Sequence, residues 1–189
     1  SYSPETKLVY IPAQELPFNY GDTEDFTYNK KTWNTGIDIV ATIPPKDPNK
    51  LLELLSTLKG HLSAWDPVTQ KEVWRVQHDW PWNGGVLSTA GNLVFQGTSD
   101  GRLIAYKADV GGKAWEVNTY NGIGAPPITY TIDGVQYISV IVGYGGAFAL
   151  TAGVPAPNPG AHTNGQILTF KLDGKEIITK PISYTKMVV

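Results

Sequence analysis

The chain has 189 residues, a formal net charge of −2 and no cysteine. The nearly balanced charge excludes the basic surface that nucleic-acid binding needs. The absence of cysteine excludes disulfides, thiolate metal ligands and a Cys-x-x-Cys-His haem attachment within these residues. The longest apolar run, Tyr137–Val142, has the length of one strand, so no membrane span is predicted. With 20 glycines and 14 prolines, the composition favours an all-β chain with many turns.

An internal repeat dominates the chain. Gly, Leu, Ala and Trp of Gly60–Trp74 recur in register in Gly101–Trp115, at a spacing of 41 residues. A shorter third copy without the tryptophan occupies Gly165–Lys175. Each full copy predicts a strand, a polar turn and a second strand that carries the tryptophan. A period of about 40 residues is typical of β-propeller blades.

The segments after each copy supply the remaining strands of a blade. Short β-rich pieces flank hairpin-type turns at 90–92 and 133–134. The predicted pieces are Val86–Leu87, Leu93–Gln96, Ile128–Ile132 and Tyr137–Val142. In such blades Trp74 and Trp115 are interpreted as packing residues that fill the gap between neighbours. We therefore predict an all-β partial propeller of about three four-stranded, tryptophan-motif blades.

The beginning of the chain matches the inside of a blade. Leu8–Pro12 resembles Leu93–Gly97, so an upstream blade is expected to continue into this chain. Prolines and glycines then indicate a long excursion. Within it, Leu51–Leu58 has helical spacing with Asp47 or Asn49 as a possible N-cap, although a buried strand is the alternative.

These patterns divide the chain into three parts. Residues 1–59 are assigned to the end of an upstream blade and the excursion, and residues 60–152 to two blades. Residues 153–189 are assigned to a Pro/Gly-rich linker and a closing strand. Because a propeller closes with four to eight blades, missing blades or a second copy are expected to cover the outer faces.

Several segments together resemble one enzyme family. The resemblance covers most of the chain and weakens between about Phe18 and Leu58. The segments that carry it are Leu8–Gln14, Trp33–Gly36, Gly60–Trp74, Trp82–Gly101 and Gly143–Gly146. They look like the C-terminal blades of quinoprotein alcohol dehydrogenases. Trp82–Gly101 is the most specific of them, since cofactor-free propeller scaffolds share a simple Ala…Trp repeat.

The resemblance implies an eight-bladed propeller with pyrroloquinoline quinone and Ca²⁺ on its axis, located in the bacterial periplasm. It implies oxidation of alcohols to aldehydes, a cytochrome as electron acceptor and, in some members, a downstream haem c domain. The family's catalytic aspartate, Ca²⁺ ligands and adjacent-cysteine disulfide come from earlier blades. No motif here matches them, so no catalytic residue or metal ligand is assigned, and the chain alone is expected to be inactive.

Two Gly-rich turns remain as candidates for cofactor contact. The resemblance implies that both approach the quinone, with glycine allowing close backbone approach. The candidate residues are Trp82, Asn83, Gly84, Tyr144, Gly145 and Gly146. The family pattern has tryptophan where Tyr144 stands. The alternative interpretation makes Asn83 and Gly84 a tight turn, Trp82 a packing residue and the second turn a connection between blades.

The remaining polar residues carry no recognisable site. His61, His78 and His162 do not have metal-ligand spacing. Asp66, followed by proline, predicts an Asx-turn. Because cofactor-free propellers share the same repeat, a competing hypothesis for the whole protein is a cofactor-free scaffold for protein assembly at the outer membrane.

Overall fold

The computed structural model describes residues 1–17, 19–38, 40, 43–143 and 165–179. Within these ranges the chain forms ten strands and one helix. They are β1 (Val9–Glu15), α1 (Pro48–Thr57), β2 (Lys59–Asp66), β3 (Lys71–His78), β4 (Val86–Thr89), β5 (Leu93–Gly97), β6 (Arg102–Lys107), β7 (Lys113–Asn118), β8 (Ile128–Ile132), β9 (Val135–Val142) and β10 (Gln166–Lys171). No helix in the described part of the chain has the length and apolarity that a membrane crossing requires.

The strands form three antiparallel sheets. The first has the order β1-β2-β3, the second β4-β5-β6-β7 and the third β10-β9-β8. Successive strands are neighbours throughout, as in propeller blades. The predicted all-β partial propeller is confirmed, although only the second sheet has four strands within the described residues.

The 41-residue repeat is a repeat of strand pairing. Ala64 pairs with Trp74 between β2 and β3, and Ala105 pairs with Trp115 between β6 and β7. The register shifts immediately after each alanine, which marks a β-bulge at the same position of both sheets. Both alanines are buried. The small side chain thus leaves room for the neighbouring sheet.

The turns after β2 and β6 also share a backbone conformation. Gln70 and Gly111 occupy equivalent positions and both have positive φ, 56° and 71°. The predicted Asx-turn is present, since Asp66 Oδ1 accepts hydrogen bonds from the N–H groups of Val68 and Thr69, at 2.8 and 3.2 Å. Hydrogen bonds from Thr69 and Val68 lower the pKa of Asp66. The sequence difference between the two turns therefore leaves the positive φ at this position unchanged.

β1 occupies the place of β5 in its own sheet. Tyr10 pairs with Ala64 as Phe95 pairs with Ala105. This is the alignment expected from the resemblance between the two segments. The segment from residue 16 to residue 58 is thus a long connection between the second and third strand positions of a sheet.

That connection contains α1, which begins after Asp47. The Asp47 carboxylate accepts hydrogen bonds from the N–H groups of Asn49 and Lys50 at 2.9 and 3.1 Å. Pro48 stands in the first turn, where its missing N–H costs nothing. The helical interpretation with an Asp47 cap is confirmed and the buried strand is wrong. None of the helix residues is buried.

Apolar side chains join the first sheet to the second. The buried cluster between them comprises Leu8, Tyr10, Leu62, Ala64, Val94, Ile104, Tyr106 and Ala108. Trp74 packs against this cluster, and its Nε1 donates a hydrogen bond to the Ala108 carbonyl at 3.0 Å. The Tyr10 hydroxyl donates to the same carbonyl at 3.0 Å. Trp74 therefore fills the gap between sheets, as predicted.

A second cluster joins the second sheet to the third. Its buried members are Leu103, Ile123, Val140 and Val142. Trp115 lies edge-on to Phe170 of β10, with ring centroids 5.5 Å apart. This tryptophan also bridges two sheets but remains 41% exposed.

Gly111 tests the inter-sheet packing of Trp74. A Cβ at Gly111 would lie 2.7 Å from the indole, and the residue has positive φ. Gly111→Ala should lower the free energy of unfolding by about 1–3 kcal/mol, because strain and overlap act together. Denaturant titration of the protein that contains this chain measures the change.

Gly112→Ala is the matched control. Its Cβ would meet only a Val110 methyl, at 4.0 Å, without positive φ. We expect its effect to stay within about 0.5 kcal/mol. Equal effects of both substitutions would contradict the packing role assigned to Trp74.

Candidate functional site: a cluster of loops at one end of the sheets

Connections from all three sheets meet at one end of the strands, here called the loop end. They are the β3–β4 connection, the β5–β6 turn and the β7–β8 connection, residues 79–85, 98–101 and 119–127. The Gly84 N–H donates to the Gly97 carbonyl at 2.8 Å, and the Ile123 N–H donates to the Thr98 carbonyl at 3.0 Å. These backbone bonds fix the three segments against one another.

The long connection of the first sheet leaves from the same end. β1 ends and β2 begins there, with Gln14 paired to Gly60. The Trp82 N–H donates to Gln14 Oε1 at 3.3 Å. The excursion that contains α1 thus starts and finishes beside the Trp82 turn.

Trp82 has an unusual backbone conformation. Its φ is +57°, in the left-handed region that bulky side chains rarely adopt. The residue is half-buried. A strained residue persists only where its surroundings determine its geometry, and such residues cluster at functional sites.

Asn83 supplies part of that surrounding structure. Its Nδ2 donates to the Trp80 carbonyl at 2.8 Å, which closes the turn around Trp82. Its Oδ1 accepts from the Ser99 N–H at 3.1 Å, across to the β5–β6 turn. The side-chain amide therefore performs the tight-turn role and also clamps two loops together.

Gly84 is buried against the next connection along the chain. A Cβ there would lie 2.7 Å from the Ala125 carbonyl oxygen and 3.1 Å from that of Ile123. A side chain would separate the β3–β4 connection from the β7–β8 connection. Glycine is thus required at this position because the backbone of the next connection lies against it.

The second predicted turn is only partly described. Tyr144, Gly145 and Gly146 lie outside the described residues. Gly143, just before them, donates its N–H to the Gly122 carbonyl at 2.8 Å. β9 therefore also ends at the loop end.

Sequence reasoning missed a buried polar pair beneath the Trp82 turn. His78 Nε2 lies 2.9 Å from Gln96 Oε1, and Gln96 Nε2 donates to the Gly84 carbonyl at 3.2 Å. A carbonyl can only accept, so the amide NH₂ of Gln96 must face Gly84 and its oxygen must face His78. His78 therefore carries its proton on Nε2.

The environment keeps His78 neutral. Burial is the main cause that lowers its pKa, and the positive charge of Arg102 lowers it further. The hydrogen bond to Gln96 and the carboxylates of Asp100 and Asp79 act in the opposite direction without reversing the shift. A signal existed in the sequence, because Gln96 interrupts the apolar strand β5.

A second missed feature is a copy of the Trp82 turn. In the β7–β8 connection Tyr120 precedes Asn121 and Gly122, and its φ is +60°. An added Cβ at Gly101 would lie 3.1 Å from Asn121 N. At the equivalent Gly60, a Cβ would lie 2.7 Å from the Asn83 side chain. The aromatic-Asn-Gly turn is therefore repeated between successive sheets.

Two charged residues at the loop end, Asp100 and Arg102, are paired with one another. Arg102 Nη2 contacts Asp100 Oδ2 at 2.7 Å, and Thr98 also donates to Asp100. Burial alone would raise the pKa of Asp100, but the bonds from Arg102 and Thr98 bring it below its usual value. Among the described residues, no group of three or more His, Cys, Asp or Glu side chains could hold a metal ion.

Comparison with known proteins gives the same architecture. Residues 60–138 match the family described as glucose/ethanol/alcohol dehydrogenase, beta-propeller domain. The chain is 44% identical over 185 residues to the quinohemoprotein alcohol dehydrogenase of Comamonas testosteroni, covering 93% of this chain and 24% of that protein. It is 41% identical over 177 residues to the dehydrogenase subunit of the quinone alcohol dehydrogenase of Acetobacter aceti, again 93% and 24%.

A solved structure agrees in detail. The quinohemoprotein alcohol dehydrogenase ADHIIG of Pseudomonas putida HK5 superposes with a TM-score of 0.84 at 39% identity, covering 98% of this chain and 27% of that one. The three sheets are thus blades of a β-propeller. Residues 60–138 match the propeller domain of that family, and the relatives are quinone-dependent or quinohemoprotein alcohol dehydrogenases by name, which confirms the recognition from sequence. The chain spans about a quarter of the length of the curated relatives it matches.

The neutral state of His78 predicts a pH dependence of stability. Because its folded pKa is lowered, the unfolded chain binds more protons as the pH falls below about 6.5. The contribution of His78 is therefore full above that pH and is lost as the pH falls through the folded pKa. His78→Gln, which can still donate to Gln96, should remove this part of the loss.

Urea titrations of wild type and His78→Gln between pH 7.5 and 5 measure the effect. The stability of wild type relative to the variant should decrease as the pH falls. A difference that stays constant over this range would show that His78 does not titrate differently in the folded state.

Proposed function

We propose that the protein containing this chain oxidises alcohols to aldehydes with pyrroloquinoline quinone as cofactor, and that this chain supplies one wall of the cofactor site. The family and the relatives named for quinone-dependent alcohol oxidation support the activity. The observation that carries the assignment to this chain is the left-handed Trp82 at the loop end. A planar, half-buried indole on a clamped turn suits a flat aromatic cofactor.

The described residues fit the quinone as a wall and not as a metal site. Trp82 would contact it, while Asn83 and Gly84 hold the turn through bonds to Trp80, Ser99 and Gly97. When bound, the quinone would accept the hydride equivalent from the alcohol, and Ca²⁺ would act as its Lewis acid. The base and the Ca²⁺ ligands are proposed to come from outside this chain.

The turn at Tyr144, Gly145 and Gly146 is proposed as a second contact of the cofactor. Support comes from its place in the sequence directly after Gly143, which is hydrogen-bonded at the loop end. The division at residues 59/60 and 152/153 is likewise kept as a proposal. By itself the chain is proposed to be inactive, because only one side of the site is present.

The location and the electron acceptor follow from the same proposal. We propose a bacterial periplasmic enzyme that passes electrons to a cytochrome. Two relatives in the comparison are quinohemoproteins by name. Any haem c of the present protein would be bound outside this chain, which has no cysteine.

Replacement of Trp82 tests the cofactor wall. Trp82→Ala in the protein that contains this chain should weaken quinone binding about tenfold or more, since it removes an aromatic face. Quinone titration of the cofactor-free protein, followed by tryptophan fluorescence with Ca²⁺ present, gives the dissociation constant. Alcohol oxidation with a dye acceptor gives the activity.

Trp33→Ala serves as the control, because Trp33 is 93% exposed and lies in the excursion. Its quinone affinity should equal that of wild type. Equal affinities of both variants would remove Trp82 from the site. If wild type itself binds no quinone, the dehydrogenase proposal is wrong and the cofactor-free scaffold is favoured.

A further inference from the structure

Gln96 is a polar residue at an apolar position of the fold. It pairs with Ile104 in the second sheet. At the equivalent position of the third sheet Val140 pairs with Leu168. Both Gln96 and Val140 are fully or almost fully buried between sheets. A valine at this position therefore satisfies the requirements of the blade, and the burial of an amide at Gln96 needs a local reason.

The partners of Gln96 supply that reason. Its amide oxygen accepts from His78, and its NH₂ group reaches the Gly84 carbonyl in the turn that presents Trp82. At the next interface the residue equivalent to His78 is Thr119, which hydrogen-bonds its own connection through the Asn121 carbonyl at 2.9 Å. Of the two interfaces in the described part of the chain, the first thus connects a strand interior to the aromatic turn above it through two side chains, whereas the second does not.

Both backbone polar groups of Gly84 are hydrogen-bonded. Its N–H donates to Gly97 and its carbonyl accepts from Gln96. Gly97 directly follows Gln96 on β5. One strand end therefore fixes the position and the tilt of the turn. A buried amide with both ends bonded is a rigid support, because each broken bond would leave an unpaired polar group.

We propose that Gln96, oriented by His78, is a positioning residue that holds the Trp82–Gly85 turn in the geometry that receives the quinone. This inference rests on the proposed function. Gln96 itself makes no contact with cofactor in this proposal. It acts through Gly84 on the conformation of Trp82.

The test uses Gln96→Met in the full-length protein that contains this chain. Methionine has a similar length and cannot bond His78 or Gly84. Exchange of the Gly84 N–H with solvent should become about five- to tenfold faster, as expected when the turn loses the hydrogen bond from Gln96. It is measured by hydrogen exchange on the proteolytic fragment that contains Gly84. The quinone dissociation constant should rise by a similar factor.

A double variant separates positioning from simple stability. His78→Leu combined with Gln96→Met removes the unpaired histidine, so part of the global stability lost in the single variant should return. The exchange rate of the turn and the quinone dissociation constant should stay raised. Recovery of all three quantities together would show a purely structural role and overturn the proposal.

Two further variants complete the design. His78→Gln keeps a donor for Gln96 and should preserve slow exchange in the turn. Gln136→Met removes an exposed side-chain hydrogen bond to Thr129 on the third sheet and should change neither readout.

If wild type binds no quinone, the proposed function fails, while the exchange rates still decide whether Gln96 holds the turn. Unchanged exchange in Gln96→Met refutes the positioning role.

Discussion

The hydrogen bond from Trp74 to the Ala108 carbonyl is the constraint on which the rest of the structure depends. It spans the gap between two sheets, and the indole ring lies directly against Gly111. The turn after β6 therefore has no room for a side chain at that point. The bulge beside the paired Ala64 makes room for the same contact. One tryptophan thus sets the spacing of the sheets.

Because the spacing of the sheets is fixed, the connections at their ends are brought into contact. The β3–β4 connection lies against the β7–β8 connection at Gly84 and Ala125, where no side chain can be inserted. Aromatic residues in left-handed conformation, Trp82 and Tyr120, stand at corresponding places of two successive connections. The blade architecture therefore places strained aromatic turns at the same end of successive sheets.

The two inter-sheet interfaces show that the same buried position of a blade can be apolar or polar. Thr119 and Val140 occupy in the second interface the places of His78 and Gln96 in the first. The apolar solution needs no buried amide. Burying the polar pair of His78 and Gln96 costs desolvation free energy, which its two hydrogen bonds offset. The pair also links the core to the Trp82 turn. The difference between the interfaces is thus chemical and not topological.

The sequence by itself determined the blades, the hairpin at Asp133 and Gly134, the helix after Asp47 and the family. These features follow from local spacing and turn chemistry, which a one-dimensional pattern contains. It did not reveal the His78–Gln96 pair or the clamp from Asn83 to Ser99, because those contacts join residues 16 to 18 positions apart on different elements. The sequence also did not show that Tyr120 corresponds to Trp82. The two residues are 38 positions apart, which differs from the 41-residue spacing of the repeat. Only the packing of sheet on sheet decided which side chains meet at the loop end.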